Sequence, residues 1–187
     1  MWLTRQEIEA IGFRRVGDDV RISDRAVFYH PGHIEIGNHV RIDDFCMVSH
    51  CVTLGDHVFL AAQVMLLAGF DSTIELDDFC TMAWRSMIFT ETDDYTGRFL
   101  TNPTVPMEYR GCTQRSVRLG RHTIVGAGAT VLPGADLAEG TSIGAMALVP
   151  RPTQPWTIYA GVPACPLRPR DRGLLELETK LLAEEAE

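Results

Sequence analysis

Five consecutive hexads decide how this chain folds: IGNHVR (36–41), IDDFCM (42–47), VSHCVT (48–53), LGDHVF (54–59) and LAAQVM (60–65). Each hexad opens with an aliphatic residue and has valine or cysteine at its fifth place. A period of six matches neither the 3.6-residue period of a helix nor the alternation of an ordinary half-buried strand. It fits a short strand followed by a turn, so that three hexads close one triangular coil of about 18 residues.

The same pattern continues through most of the chain. After a shift of register near residue 68, the aliphatic places are Leu76, Met82 and Ile88, and then Leu119, Val125, Val131, Leu137, Ile143 and Val149. We expect these side chains to fill the inside of the coils, which stack at the interstrand spacing of about 4.8 Å. The repeat predicts an all-β fold, a left-handed parallel β-helix of hexapeptide repeats, since known solenoids of this kind wind against the usual right-handed crossover.

The ends and interruptions of the repeat divide the chain. Residues 1–12 are predicted to form a short N-terminal helix and residues 13–165 the β-helix domain, followed by a C-terminal tail and helix over 166–187. Residues 91–118 break the repeat and are predicted to protrude as a loop, a feature that usually carries function.

The two predicted helices have recognisable signals. Thr4 and Glu7 form a possible capping box for the first helix, which should end near Gly12. From residue 171 onward, leucines recur at helical spacing among acidic residues, at positions Leu174, Leu177, Leu181 and Leu182. This amphipathic C-terminal helix is expected to be a lid or a subunit clasp rather than a membrane anchor.

Composition narrows the class of protein. The 187 residues carry a formal charge of -8 with a pI near 5.2, which argues against a general nucleic-acid or anionic-membrane binder. No apolar run approaches the roughly 18 residues of a membrane span, and the N-terminus lacks the order of a signal peptide. We therefore expect a cytoplasmic protein whose five cysteines are reduced thiols, neither a disulfide framework nor a zinc site.

Over about residues 13–170, the repeat blocks and the segment Gly161-Val162-Pro163-Ala164 resemble the hexapeptide-repeat acyltransferases. The similarity is to the maltose/galactoside O-acetyltransferase type. Segments 42–46, 93–97 and 100–106 resemble the corresponding segments of enzymes that acetylate sugars for O-antigen or capsule. Some of those enzymes act on nucleotide-linked 4-amino-4,6-dideoxy sugars. The resemblance implies a homotrimer with acetyl-CoA, the acyl donor, in the groove between neighbouring prisms.

Residues for the CoA donor follow from the same resemblance. The positions that match the family's pantetheine contacts are Ala127 and Ala145, although tight corners alone also explain small residues there. Arg168 matches an arginine shortly after the family's Gly-x-Pro-Ala segment, and Arg151 replaces a usual lysine. A guanidinium can hold phosphate bidentately, so both arginines are candidate CoA ligands.

The candidate base departs from the family pattern. Where the O-acetyltransferases place a histidine, this chain has Asp93, followed by Asp94. A carboxylate could take a proton or orient an ammonium, most usefully with a pKa raised by partial burial; alternatively, both aspartates merely start a turn. The other candidate base is His50. Because a neutral amine attacks a thioester unaided, the missing histidine favours N-acylation over O-acylation.

The remaining candidates are on the acceptor side. Counting without gaps, Gln63 and Asp71 match acceptor-binding positions of the O-acetyltransferases, and Tyr95 lies in the loop. By contrast, His39, His57 and His122 share the fourth place of their hexads and are expected to be exposed corner residues. No histidine arrangement matches the zinc site of carbonic-anhydrase-like solenoids, and no metal is expected.

The repeat and the resemblance together predict an acetyl-CoA-dependent acetyltransferase that acts on a sugar. The expected acceptor is the amino group of a nucleotide-linked deoxyamino sugar for surface polysaccharide such as lipopolysaccharide. The alternatives are O-acetylation of a sugar hydroxyl and, from another class, a non-catalytic solenoid scaffold. The sugar, its nucleotide and the length of the acyl chain are left open.

Overall fold

The computed structural model describes residues 1–185. Their repeat segments wind into a left-handed three-sided prism. The polar face carries β1 (Arg15–Val16), β4 (Ile34–Ile36), β7 (Val52–Leu54), β10 (Ile74–Leu76) and β15 (Val117–Leu119). The helix face carries β2 (Arg21–Ile22), β5 (Arg41–Ile42), β8 (Phe59–Leu60), β11 (Thr81–Met82), β16 (Ile124–Val125), β18 (Ser142–Ile143), β20 (Thr157–Ala160) and β21 (Cys165–Pro169). The methionine face carries β3 (Val27–Tyr29), β6 (Met47–Ser49), β9 (Met65–Leu67), β12 (Met87–Phe89), β17 (Thr130–Val131) and β19 (Leu148–Val149).

The strand register measures the length of each coil. Ile34 pairs in parallel with Val52, eighteen residues further on, which is the length that three hexads predict. Val52 pairs with Ile74, twenty-two residues further on, so the shift of register near residue 68 is a four-residue insertion at one corner. Ile74 then pairs with Val117 because residues 90–116 leave the coil and return to it.

The prediction for the interior is confirmed. Every aliphatic hexad residue from Ile36 to Val149 is at most 2% exposed, and the small residues at the fifth places are equally buried. At roughly 25 cal/mol per Å² of apolar area, this continuous column is the main source of stability. Removal of a single inward side chain therefore leaves a cavity that neighbouring coils cannot easily fill.

The corners are tight. They require glycine where neighbouring coils approach closely and a left-handed backbone at the fourth place of the hexad. Gly37 comes so close to the next coil that a Cβ would lie 2.5 Å from the carbonyl oxygen of Gly55, so only glycine fits. The fourth place of most hexads has a left-handed backbone, with φ of 55° at His39 and 56° at His57. Between coils, the Asn38 backbone N–H donates to the Asp56 carboxylate at 2.7 Å, which satisfies a group that the corner would otherwise leave unpaired.

Both predicted helices are present. Helix α1 (Arg5–Ile11) has the complete capping box of Thr4 and Glu7 and ends at Gly12 in a left-handed conformation. Helix α2 (Leu174–Glu185) lies within the predicted C-terminal helix, of which residues 186–187 fall outside the described part. The tail is more ordered than expected, because β21 pairs antiparallel with β20 at the end of the helix face. No helix of residues 1–185 is long and apolar enough to cross a membrane.

The protruding loop starts as an antiparallel hairpin of β13 (Glu91–Thr92) and β14 (Thr113–Gln114). A short 3-10 turn, Met107–Tyr109, lies within it, and a similar turn, Pro31–His33, lies at the same edge of the prism. The predicted end of the loop at residue 118 was wrong by two residues. Val117 and Arg118 already belong to β15, since Val117 faces inward and is 1% exposed.

Candidate active site

A cavity of about 550 Å³ lies between the loop and the edge of the methionine face. Leu67 and Phe89 form part of its wall on the prism, and Asp93, Met107 and Arg110 part of its wall on the loop. The floor is apolar because outward-facing residues of this face are apolar, whereas the loop supplies charge. An apolar pocket with a few polar groups is the usual form of a small-molecule site.

Asp93 is held from two sides within this cavity. Its Oδ2 accepts the backbone N–H of Asn102 at 2.9 Å, and its Oδ1 accepts from Nη2 of Arg110 at 3.1 Å. The Asn102 N–H and the Arg110 guanidinium hold the pKa of Asp93 below its usual range. The raised pKa that would best suit a base is therefore not what the structure provides. Asp93 is an anion at neutral pH, which suits it to orient an ammonium.

Asp94 closes a turn within the loop. Its carboxylate accepts the hydroxyl of Thr96 at 2.8 Å and the backbone N–H of Arg98 at 3.0 Å. The hydrogen bond from Thr96 is the main reason that the pKa of Asp94 is lowered. This geometry matches the alternative in which the aspartate starts a turn. Tyr95, at the tip of this turn, is 92% exposed and does not line the cavity.

His50 lies at the same edge of the prism as the loop. Its ring packs against His30, at a centroid distance of 4.6 Å and an interplanar angle of 34°, and against Phe70 in an edge-to-face contact at 4.3 Å. Both of its ring nitrogens are buried and have no hydrogen-bond partner among residues 1–185. Burial, with the nearby His30, lowers the pKa of His50, so the imidazole is neutral at physiological pH and keeps a free lone pair for a proton.

The donor-side candidates lie at the opposite edge of the methionine face. Ala127 and Ala145 occupy equivalent corner positions of successive coils, as shown by the pairing of β16 with β18. Within the described chain, neither backbone N–H donates a hydrogen bond. The N–H of Met146, in contrast, donates to the carbonyl oxygen of Ala127. Two free donors at corner positions whose own side chains are single methyl groups suit a carbonyl or oxyanion. Gln63 is exposed at this same edge, away from the loop cavity.

The arginines near the C-terminus differ in their surroundings. Arg151 and Arg168 are exposed and belong to none of the ion pairs of residues 1–185. Both guanidiniums are available to phosphate. Arg170 is already hydrogen-bonded within the chain, because its Nη1 donates to the carbonyl oxygen of His122 at 2.7 Å.

The candidates thus form two groups at the two edges of one face. His50, Asp71 and Asp93 lie at the loop edge, where the backbone N–H of Asp71 donates to the side chain of Gln114 at 3.1 Å. Gln63, Ala127 and Ala145 lie at the corner edge. Within one chain the prism separates these groups.

Sequence reasoning missed the partner of Asp93. Arg110 is 10% exposed and also lies 4.0 Å from Glu91. Nothing in the spacing of the loop indicated that a residue seventeen places later would return to Asp93, because this pairing depends on the β13–β14 hairpin. Phe70 was missed for a similar reason: it lies in the inserted corner, where the repeat gives no register.

The expected exposure of the corner histidines was partly wrong. His39, His57 and His122 do share one edge, and His39 and His57 stack 4.7 Å apart. His122, however, is 6% exposed, because α2 crosses this edge and Glu178 contacts its Nε2 at 2.8 Å. Cys46 and Cys80 are core thiols, and burial raises the pKa of Cys46 to about 11 and that of Cys80 to about 12.

The sequence is similar to a known protein family and to a characterised bacterial enzyme. Residues 33–68 match the family model described as bacterial transferase hexapeptide (six repeats). The chain is 35% identical over 181 residues to the dTDP-4-amino-4,6-dideoxy-D-glucose acyltransferase of Escherichia coli, an alignment that covers 95% of this chain and 93% of that protein.

Solved structures agree with the sequence match. AntD, an N-acyltransferase from Bacillus cereus in complex with dTDP and 3-hydroxybutyryl-CoA, superposes with a TM-score of 0.96 at 38% identity, covering 100% of this chain and 98% of that one. A single-site variant of AntD in complex with dTDP-4-amino-4,6-dideoxyglucose and coenzyme A gives a TM-score of 0.95 at 38% identity, covering 98% and 97%.

Proposed function

This chain belongs to the bacterial hexapeptide-repeat acyltransferases, and on that premise we propose that it transfers an acyl group from acyl-CoA to the amino group of a dTDP-linked 4-amino-4,6-dideoxy sugar. The E. coli relative is a dTDP-4-amino-4,6-dideoxy-D-glucose acyltransferase. AntD is an N-acyltransferase that binds dTDP and 3-hydroxybutyryl-CoA, and its single-site variant binds dTDP-4-amino-4,6-dideoxyglucose and coenzyme A. The observation that carries the proposal is the ionised carboxylate of Asp93 in the loop cavity, which is complementary to an ammonium.

The chemistry follows from the two groups of residues. The acceptor arrives as an ammonium that Asp93 orients, and it loses one proton through that carboxylate or to water. The neutral nitrogen then attacks the thioester carbonyl, and free corner N–H groups, of the kind that Ala127 and Ala145 offer, stabilise the tetrahedral oxyanion. When the intermediate collapses, the C–S bond breaks, an amide forms, the nitrogen gives up its second proton, and the CoA thiolate leaves.

We propose a homotrimer as the active assembly. The methionine face presents one row of outward side chains across its strands, and all of them except Thr130 are apolar: Val27, Met47, Met65, Met87, Thr130 and Leu148. The polar face presents Glu35, Thr53, Glu75 and Arg118 in the same places. Three-fold symmetry joins unlike patches, so the loop edge of one chain would lie against the corner edge of the next, and one site would combine both groups.

The remaining parts of the proposal concern ligands and setting. Arg168 and Arg151 are proposed to hold the CoA phosphates, and the acceptor side comprises Asp71 and the loop. Acetyl-CoA is the proposed donor, in the cytoplasm, and the N-acylated nucleotide sugar would serve the synthesis of a surface polysaccharide. A catalytic assembly also accounts for the charged loop, which a scaffold would not need.

A thiol-release assay over three acceptors tests the reaction. With acetyl-CoA, the dTDP-linked 4-amino sugar should release free CoA and give a product heavier by one acetyl group on nitrogen. The matched control is the dTDP-linked sugar with a 4-hydroxyl, and a simple galactoside is the third acceptor. Turnover with the hydroxyl acceptors but not with the amine would favour O-acetylation, for which the neutral His50 is the available base.

A further inference from the structure

A second group of ligating side chains lies on the edge between the polar face and the helix face, away from the loop cavity. His39 and His57 come from successive coils, and Glu185 comes from the last turn of α2. One ligating atom from each residue lies within 4.8 Å of the others. The Glu185 carboxylate is 3.2 Å from Nε2 of His57 and 4.0 Å from Nε2 of His39. We propose that these three side chains bind one divalent zinc-like cation.

The repeat itself builds the histidine pair. Both residues occupy the left-handed corner place, so their rings stack almost parallel, with an interplanar angle of 10°. Their Nε2 atoms both face the carboxylate of Glu185. Two imidazoles and one carboxylate are a donor set that zinc uses when it keeps a position open for water. A contraction of about 1 Å would bring the three donors to ordinary zinc–ligand distances.

The carboxylate of Asp19 orients the imidazole ring of His39 for metal binding. Nδ1 of His39 lies 3.2 Å from the carboxylate of Asp19. When Nδ1 donates its proton there, Nε2 carries the lone pair and points toward Glu185. This carboxylate–histidine arrangement is typical of metal-bound imidazoles and orients the ring.

The electrostatic surroundings admit a cation. Asp18 and Asp56 line the same groove of about 410 Å³. The nearby cation, Arg121, is already paired with Asp78 and Glu178. A bound ion would tie α2 to two coils at once, so its role would be to fasten the C-terminal helix rather than to take part in acyl transfer.

Titration of the full-length, EDTA-treated protein with ZnCl2 tests this inference. Calorimetry should show one saturable site per chain, and zinc should raise the melting temperature, because a ligand that binds only the folded state stabilises it. Exposed Cys165 could bind zinc weakly, so the same titration is run on Cys165→Ser, which should retain the site.

Five variants decide the outcome. His39→Ala, His57→Ala and Glu185→Gln should each abolish the zinc-dependent rise in melting temperature, while His33→Ala, an exposed histidine elsewhere, should not. Asp19→Asn should weaken binding about 10-fold or more while leaving the ligands in place. Absence of saturable binding in the native protein, or undiminished binding in His39→Ala and His57→Ala, would overturn the proposal. Acyl transfer to the amino sugar is expected with or without zinc, so the two proposals fail independently.

Discussion

The guanidinium of Arg110 lies 3.1 Å from the carboxylate of Asp93, although the two residues come from opposite arms of the protruding loop. Arg110 is 10% exposed, and its Nε is buried without a partner among residues 1–185. The pair therefore fixes the loop over the cavity and keeps Asp93 ionised. This relationship links the architecture of the loop to the proposed handling of an ammonium acceptor.

Asp93 and Asp94 should respond differently to the loss of charge. Asp93→Asn should lower kcat with the amino sugar about 100-fold or more, within the range expected for groups that handle a proton. Asp94→Asn should change it little, because an asparagine oxygen in the Oδ2 position can still accept both the Thr96 hydroxyl and the Arg98 N–H. Steady-state kinetics on both variants checks this, and equal losses would argue against a special role for Asp93.

Arg110→Met should move the acid limb of the kcat/KM profile to higher pH. Arg110 helps to lower the pKa of Asp93, so its removal raises that pKa and Asp93 becomes protonated at a higher pH. The shift is partial because the hydrogen bond from the Asn102 N–H, the larger cause, remains. The control is Arg98→Met in the same loop, and an unchanged limb in Arg110→Met would contradict the assignment.

The inward column should be sensitive to truncation at any coil. Ile88 is fully buried between Leu66 and Val131 of the adjacent coils, so Ile88→Ala should cost about 2–5 kcal/mol of unfolding free energy. Thr53→Ala, on the polar face between two buried residues, should cost less than about 0.5 kcal/mol. Urea unfolding of both variants measures the difference.

The apolar stripe should control assembly. Met65→Arg places a charge in the middle of the methionine face and should convert a trimer of about three times 20.8 kDa into monomers. The matched control, Thr53→Arg, puts the same charge on the polar face and should leave the mass unchanged. Light scattering coupled to gel filtration gives both masses. A monomeric native protein would contradict the trimer directly.

The thiols should differ in their rate of reaction with a disulfide reagent. Cys165 is exposed and should react first. Cys46 and Cys80 should react only after unfolding, because burial raises their pKa values to about 11 and about 12 and leaves almost no thiolate. Mass spectrometry of the labelled native protein locates the modified residues, and early labelling of Cys46 would show that the coil opens locally.

The sequence was sufficient for the prism because each inward position is repeated, so many hexads specify the same strand–turn unit. Ile36, Ile42 and Val48 each take the place that their phase predicts. Even the capping box of Thr4 and Glu7 could be predicted, since its contacts span three residues. These features depend on local geometry or on a regular period.

The contacts of the candidate site could not be predicted from the repeat period. The pairing of Arg110 with Asp93 and the covering of His122 by Glu178 join residues that no period relates. The insertion before Ile74 also removed the register on which the placement of Asp71 relied. The catalytic and binding roles of the candidate residues stay predictions. These residues are Asp93, Asp94, His50, Gln63, Asp71, Tyr95, Ala127, Ala145, Arg151 and Arg168.

In the proposed trimer, one active site combines the loop edge of one chain with the corner edge of its neighbour, and subunit mixing distinguishes this arrangement from a site within one chain. Asp93→Asn disables the loop edge, and Ala127→Trp blocks the corner edge. When the two inactive variants are unfolded and refolded together in equal amounts, random three-fold assembly should restore activity at about a quarter of the sites. If the mixture stays as inactive as its parents while mixed trimers form, each site lies within a single chain and the account is wrong.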